Sequence, residues 1–234
     1  MTGLVRHVQA GDVRLAYRTW GSPDAPPVVL LHALGEQSSD WALVAAELAS
    51  SWHVYAPDLR GHGASDWPGS YTIEQLVTDL ATFLDVLDLP QVMLGGHSIG
   101  AAPAYLYAAR HPDRVTHLIL EDPAPPRPRA RRTLTRPGEE VSFDWNATAL
   151  SNEFTEPQVE AWRDSLRHIR ARALLVAGGQ ASHIDQGQLA EMAELIPDCE
   201  LITIPAGHLI HAERPAEFIA AVTAFLTGAA GDRA

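Results

Sequence analysis

At 234 residues, 46% of them hydrophobic and 20% charged, the chain is long enough to bury one sizeable core, and its composition is globular rather than disordered or fibrous. Its formal net charge of -12 repels phosphate backbones and anionic lipid surfaces, which argues against nucleic acid and membranes as partners. A single cysteine, Cys199, cannot close an intramolecular disulfide, the first ten residues lack the pattern of a signal peptide, and every apolar stretch falls short of the ~18 residues of a membrane span; a soluble, cytoplasmic protein is expected.

Leu4 to Gln9 and Val13 to Thr19 flank the turn residues Gly11 and Asp12 and predict an opening antiparallel hairpin. Val28-Val29-Leu30-Leu31 is a continuous apolar run, the signature of a strand covered by helices on both faces of a parallel sheet. A helix is predicted from about Trp41 to Ala49 with Asp40 as its N-cap, then a short strand from His53 to Ala56. Ile73, Leu76, Val77, Leu80, Leu84 and Leu87 recur at helical spacing behind Thr72 and Gln75, which stand three apart as in a capping box. Gln91 to Leu94, Ile99 to Arg110 and Thr116 to Leu120 continue the rhythm as strand, helix and strand. Repeated β-α order of this kind predicts an open, mostly parallel sheet.

The rhythm stops at Asp122 and returns at Ala173-Leu174-Leu175-Val176, about 50 residues later, where a crossover needs far fewer. The chain is therefore divided into a first core part (1-122), a lid insertion (123-172) and a second core part (173-234). Within the insertion Pro123 to Gly138 is rich in Pro and Arg and reads as irregular, while Glu156 to Arg167 reads as a helix with Pro157 in its first turn. Gln186 to Leu195, Leu201 to Ile204 and Ala216 to Leu226 are the expected closing helix, strand and helix.

Gly96-His97-Ser98-Ile99-Gly100 lies between a strand and a helix candidate. A chain that turns that sharply exposes the serine hydroxyl and aims the next backbone N–H at a developing oxyanion, so Ser98 is the candidate nucleophile. A serine needs a base, and of eleven histidines His208 follows the last strand, on the sheet edge where such loops converge. His211 and His97 compete for that role; packing or support behind the serine is the reading favoured for both. No metal is expected, since there is no H-E-x-x-H pair and His208 with His211 lacks carboxylate or thiolate company.

Four segments together resemble the α/β-hydrolase superfamily: Leu30-Leu31-His32-Ala33-Leu34-Gly35, Asp58-Leu59-Arg60-Gly61-His62-Gly63-Ala64-Ser65, the Ser98 segment, and Gly207-His208-Leu209-Ile210-His211-Ala212-Glu213-Arg214-Pro215. The resemblance covers the chain from about Leu15 to the closing helix. It implies an eight-stranded, mostly parallel α/β sheet flanked by helices, and an oxyanion hole made by the backbone N–H groups of Leu34 and Ile99. Most family members place the triad acid after the strand that follows the lid, where this chain has Gly178-Gly179-Gln180-Ala181-Ser182-His183 and no carboxylate. Another branch places it before the lid, where Glu121-Asp122 stands, so Asp122 is assigned, with Glu121 and Asp185 as rivals. Asp58 and Glu213 resemble structural positions.

The expected reaction is acyl transfer to water with no cofactor: Ser98 attacks, His208 moves the proton and Asp122 orients His208. A small-molecule carboxyl ester or lactone is the expected substrate, and a homodimer stays open. The rival readings are a carbon-carbon bond hydrolase or lyase with the same triad, and a non-catalytic ligand-binding protein of the same fold. Arg127, Arg129, Arg131, Arg132 and Arg136 form a basic island in the lid, read either as a solvated loop or as an attractor for an anionic substrate. Phe143, Trp145 and Trp162 are expected in the pocket wall and in the packing of the lid itself.

Overall fold

The computed structural model describes residues 3–131, 133–136, 138, 141–154 and 158–228. It contains strands β1 (Leu4–Ala10), β2 (Val13–Trp20), β3 (Pro27–Leu31), β4 (His53–Pro57), β5 (Val92–His97), β6 (Val115–Glu121), β7 (Arg172–Ala177) and β8 (Cys199–Thr203). The helices are α1 (Ala42–Leu48), α2 (Ile73–Val86), α3 (Ala101–Arg110), α4 (Gln158–Ser165), α5 (Gln186–Leu195), α6 (Ile210–Glu213) and α7 (Pro215–Thr227). All eight strands join one sheet in the order β1-β2-β4-β3-β5-β6-β7-β8. Strand β2 runs antiparallel to β1 and β4, and the remaining neighbours are parallel.

Successive strand side chains point to opposite faces, so an uninterrupted apolar run feeds two cores at once. Val29, Leu31, Leu94, Leu118, Leu120 and Leu175 pack on one face with Leu76 and Phe83 of α2 and Tyr105 of α3. Val28, Leu30, Ile119, Leu174 and Val176 pack on the other with Val44 and Leu48 of α1 and Phe218 and Phe225 of α7. The sheet is thus the middle of three layers, as the β-α order requires.

Local signals set several of the boundaries. The Gln75 N–H donates to Thr72 Oγ1 (3.1 Å) and the Thr72 N–H donates to Gln75 Oε1 (2.9 Å), closing the capping box that starts α2. Asp40 does not cap α1. It sits inside a 3-10 turn over Ser38–Trp41 and accepts the Gln37 N–H (2.7 Å), so α1 begins only at Ala42. Strand β5 extends past Leu94 to His97, because Gly95, Gly96 and His97 continue the ladder opposite Ile119, Leu120 and Glu121. The segment between β6 and β7 holds a 3-10 turn (Trp145–Asn152), α4 and a second turn (Leu166–His168). The helix expected from 156 to 167 is divided between α4 and that turn, with Glu156, Pro157 and also Arg132 outside the described residues. Among the described residues no helix is long and apolar enough to cross a membrane.

Leu118 is fully buried near the middle of the sheet. Leu118→Ala is expected to cost about 2–5 kcal/mol of stability through lost transfer energy and a residual cavity, read as a lower midpoint in urea unfolding.

Candidate active site

The carboxyl ends of β3, β5, β6, β7 and β8 lie along one edge of the sheet, and the loops leaving them meet there. At the end of β5 the chain must turn at once into the helical layer, and it does so at Ser98 with φ of 52°. That left-handed backbone costs a non-glycine residue about 1–3 kcal/mol and is sustained only by the packing around it. Close approach is built in at Gly100, where a Cβ would lie 2.7 Å from the Leu31 carbonyl oxygen and nearer still to that of His32. The turn at Ser98 is therefore pressed against the end of β3. His32 holds the neighbouring loop: its Nε2 accepts the Leu59 N–H (2.9 Å), so its Nδ1–H donates to the Ala33 carbonyl (2.8 Å).

Ser98, His208 and Asp122 come together in one line. His208 Nε2 is 2.8 Å from Ser98 Oγ, and His208 Nδ1 is 2.6 Å from Asp122 Oδ2. The carboxylate can only accept, which puts a proton on Nδ1 and leaves Nε2 to accept from the serine hydroxyl. Asp122 is fully buried, and its own φ of 37° turns it out of β6 toward His208. Burial favours the neutral acid, but hydrogen bonds from His208, from Ser182 Oγ (2.5 Å) and from the Gly178 N–H (3.0 Å) hold Asp122 below the ordinary carboxylate range.

Ser182 and Gly178 are the residues that sequence reasoning missed. They lie in the loop after β7 that was searched for a carboxylate; it supplies donors to a carboxylate arriving from β6 instead. Gly178 also lets the His208 loop approach, its carbonyl accepting the Gly207 N–H (2.9 Å), and a Cβ there would overlap the Gly207 backbone. His183 from the same loop packs its ring against His208, centroids 4.2 Å apart.

The competing residues have other partners. Glu121, fully buried, accepts the His211 backbone N–H (2.8 Å) and lies 2.9 Å from His211 Nδ1. His211 stacks on Trp41, with α7 behind it at Phe218. Asp185 is the N-cap of α5 and accepts from Gly187 and Gln188. Asp58 accepts from the Ser38 and Ala64 N–H groups, and Glu213 is exposed. His97 lies behind the serine, 2.9 Å from the His208 carbonyl oxygen and 3.1 Å from Glu36 Oε2.

A cavity of about 270 Å³ opens on Ser98 and His208, walled by Ala33, Leu34, Ile99, Ala124, Ile184 and Leu209. Leu34 and Ile99 both border it, while the Ala33 N–H is already donated to Glu36 Oε2 (3.0 Å). Among the described residues none of Phe143, Trp145 and Trp162 lines the cavity; Phe143 stacks on His62 and packs against Trp145, and Trp162 packs edge-on against Phe154, so these rings serve the packing of the segment. Of the basic residues, Arg129 borders the cavity, with its guanidinium over the Phe154 ring and Nη2 donating to the Pro125 carbonyl (3.3 Å). Arg127 pairs with Glu191 instead. One group among the described residues has metal-like donors, His97, Glu121 and His211. The hydrogen bonds given above engage both ring nitrogens of His97, the Glu121 carboxylate and Nδ1 of His211.

The chain belongs to the alpha/beta hydrolase fold family, whose model matches residues 26–157. It is similar to 3-oxoadipate enol-lactonase 2 of Acinetobacter baylyi, 28% identical over 93% of this chain and 94% of the relative. Among the solved structures that share the fold are the enol-lactonase of Burkholderia xenovorans LB400 (24% identity, TM-score 0.76, 95% of this chain and all of that one) and a thermophilic esterase of Thermogutta terrifontis (24%, 0.81, 96% and 98%). The chain spans less than half the length of several other curated relatives that match about half of it. Family and relatives together support a hydrolase-type function.

Because Ser182 bonds the charged form of Asp122, Ser182→Ala is expected to raise the Asp122 pKa toward the ordinary carboxylate value. A ¹³C-detected carboxylate titration of parent and variant measures the shift.

Proposed function

We propose that this chain is a serine hydrolase that cleaves a small-molecule carboxyl ester or lactone through an acyl-enzyme on Ser98. The observation that carries the reading is the hydrogen-bonded line from Ser98 Oγ through His208 to Asp122 at the floor of the cavity. Ser98 Oγ attacks the carbonyl carbon as its proton passes to His208 Nε2, and Asp122 stabilises the imidazolium so formed. The Leu34 and Ile99 N–H groups receive the oxyanion, each worth about 3 kcal/mol of barrier. Collapse expels the alkoxide or enolate, which takes the proton from His208; in a lactone it stays tethered and the ring opens. Water, deprotonated by His208, then attacks the acyl carbon, and as the bond to Ser98 Oγ breaks the carboxylic acid leaves and Oγ takes the proton back from His208.

Two further points support this choice. A cavity of about 270 Å³ is sized for a small molecule rather than a polymer. A relative similar along nearly its whole length is named an enol-lactonase. Residues 123–172 act as the lid in this reading, since Ala124, Arg129, Ala130 and Ser151 line the cavity. No cofactor enters any step.

Purified parent is expected to hydrolyse p-nitrophenyl acetate and simple enol-lactones, with kcat falling at least ~10⁴-fold in Ser98→Ala and His208→Ala and about 10³- to 10⁴-fold in Asp122→Asn. Turnover of vinylogous diketones in place of esters would move the reading to carbon-carbon bond hydrolysis. Full activity in Asp122→Asn would remove Asp122 from the mechanism.

A further inference from the structure

Behind the proposed nucleophile lies a second polar network that the acyl-transfer mechanism does not use. His97 is fully buried at the end of β5, and each ring nitrogen faces an oxygen. Nε2 is 2.9 Å from the His208 backbone carbonyl, which can only accept, so Nε2 carries a proton. Nδ1 is 3.1 Å from Glu36 Oε2, the same oxygen that accepts the Ala33 N–H at 3.0 Å. One chain of hydrogen bonds therefore runs from the loop bearing Leu34, through Glu36 and His97, to the backbone of His208.

We propose that His97 is a positioning residue: a buried imidazolium, with Glu36 as its counter-ion, that clamps the oxyanion loop to the His208 loop and so fixes the oxyanion donors relative to the general base. The proposal rests on the serine-hydrolase reading for what is positioned, and on this geometry alone for the clamp.

The surroundings favour the charged form. The groups facing His97 are Glu36 from the loop after β3, Glu121 from the end of β6, His211 from α6 and His208 from the loop after β8. Burial alone would discharge the ring, but the Glu121 charge, the Glu36 hydrogen bond and the His208 carbonyl outweigh it and hold the His97 pKa at about 9. Burial also opposes ionisation of Glu36, which His97 and the Ala33 N–H nevertheless lower to about 2. A histidine whose folded pKa is raised contributes stability that is complete below its ordinary value of 6.5 and is lost as pH rises through about 9. The clamp thus persists through neutral pH and loosens in alkali.

The first test needs no turnover. In ¹⁵N-resolved histidine spectra, parent protein is expected to show one ring with both nitrogens protonated from pH 6 to 8 that is absent in His97→Gln; a singly protonated His97 at pH 7 overturns the proposal. The second test uses p-nitrophenyl acetate. In His97→Gln kcat should fall ~10-fold or more with KM within about 2-fold. In Glu36→Gln the alkaline decline of kcat should begin about one pH unit or more below that of the parent. An unmoved alkaline limb, or a loss confined to KM, would contradict the clamp. If Ser98 proves unreactive, the spectra still decide the charge of His97, so the two readings fail separately.

Discussion

The site depends on one backbone constraint, the left-handed turn at Ser98. Strand β5 is central, with β3 and β6 on either side, and the helix that follows must leave the sheet immediately to cover it. A relaxed turn would be longer and would let the serine side chain fall back among its neighbours. The strained one presents Oγ to the cavity and starts the next helical turn directly beneath it. Its cost is borne by contacts at a distance, including the approach of Gly100 to β3 and the two apolar cores that keep β5 and α3 in place.

Around that turn the loops are joined by polar contacts in addition to apolar packing. Asp122 arrives from β6, receives donors from the loop after β7 and meets His208 from the loop after β8. His32 pins the loop after β3 to the segment after β4, and Glu36 with His97 links that loop to the backbone of His208. Every one of these bonds is buried or partly buried, where a group left unpaired costs far more than it would at the surface. The loops are thereby held in register by satisfaction of polar groups.

Much of this was legible in the sequence because the signals were local. The continuous run Val28 to Leu31 showed a strand buried on both faces, and Thr72 with Gln75 marked the start of α2. The serine and histidine loops declared themselves by glycine and by their position after strands. What was hidden depends on tertiary approach. Asp122 could be assigned only by comparison between branches of a family, since nothing in Glu121-Asp122 says which carboxylate faces His208; in the structure Asp122, with its φ of 37°, meets His208 while Glu121 meets His211. Ser182 looked like a loop residue because its role exists only once β6 and β7 are paired. The aromatic residues of the insertion were expected both at the pocket and in the packing of the lid, and only the packing is seen: Phe143 lies against Trp145 and Trp162 against Phe154, so size and hydrophobicity alone could not place them at the pocket.

The most direct measurement of the central claim is intact-protein mass spectrometry after brief treatment with a fluorophosphonate, with the adduct located by peptide mapping. The account predicts a single stoichiometric phosphonyl adduct on Ser98, formed rapidly in the parent and abolished in Ser98→Ala. An unlabelled parent, or an adduct on any other residue that forms equally well in Ser98→Ala, would contradict it.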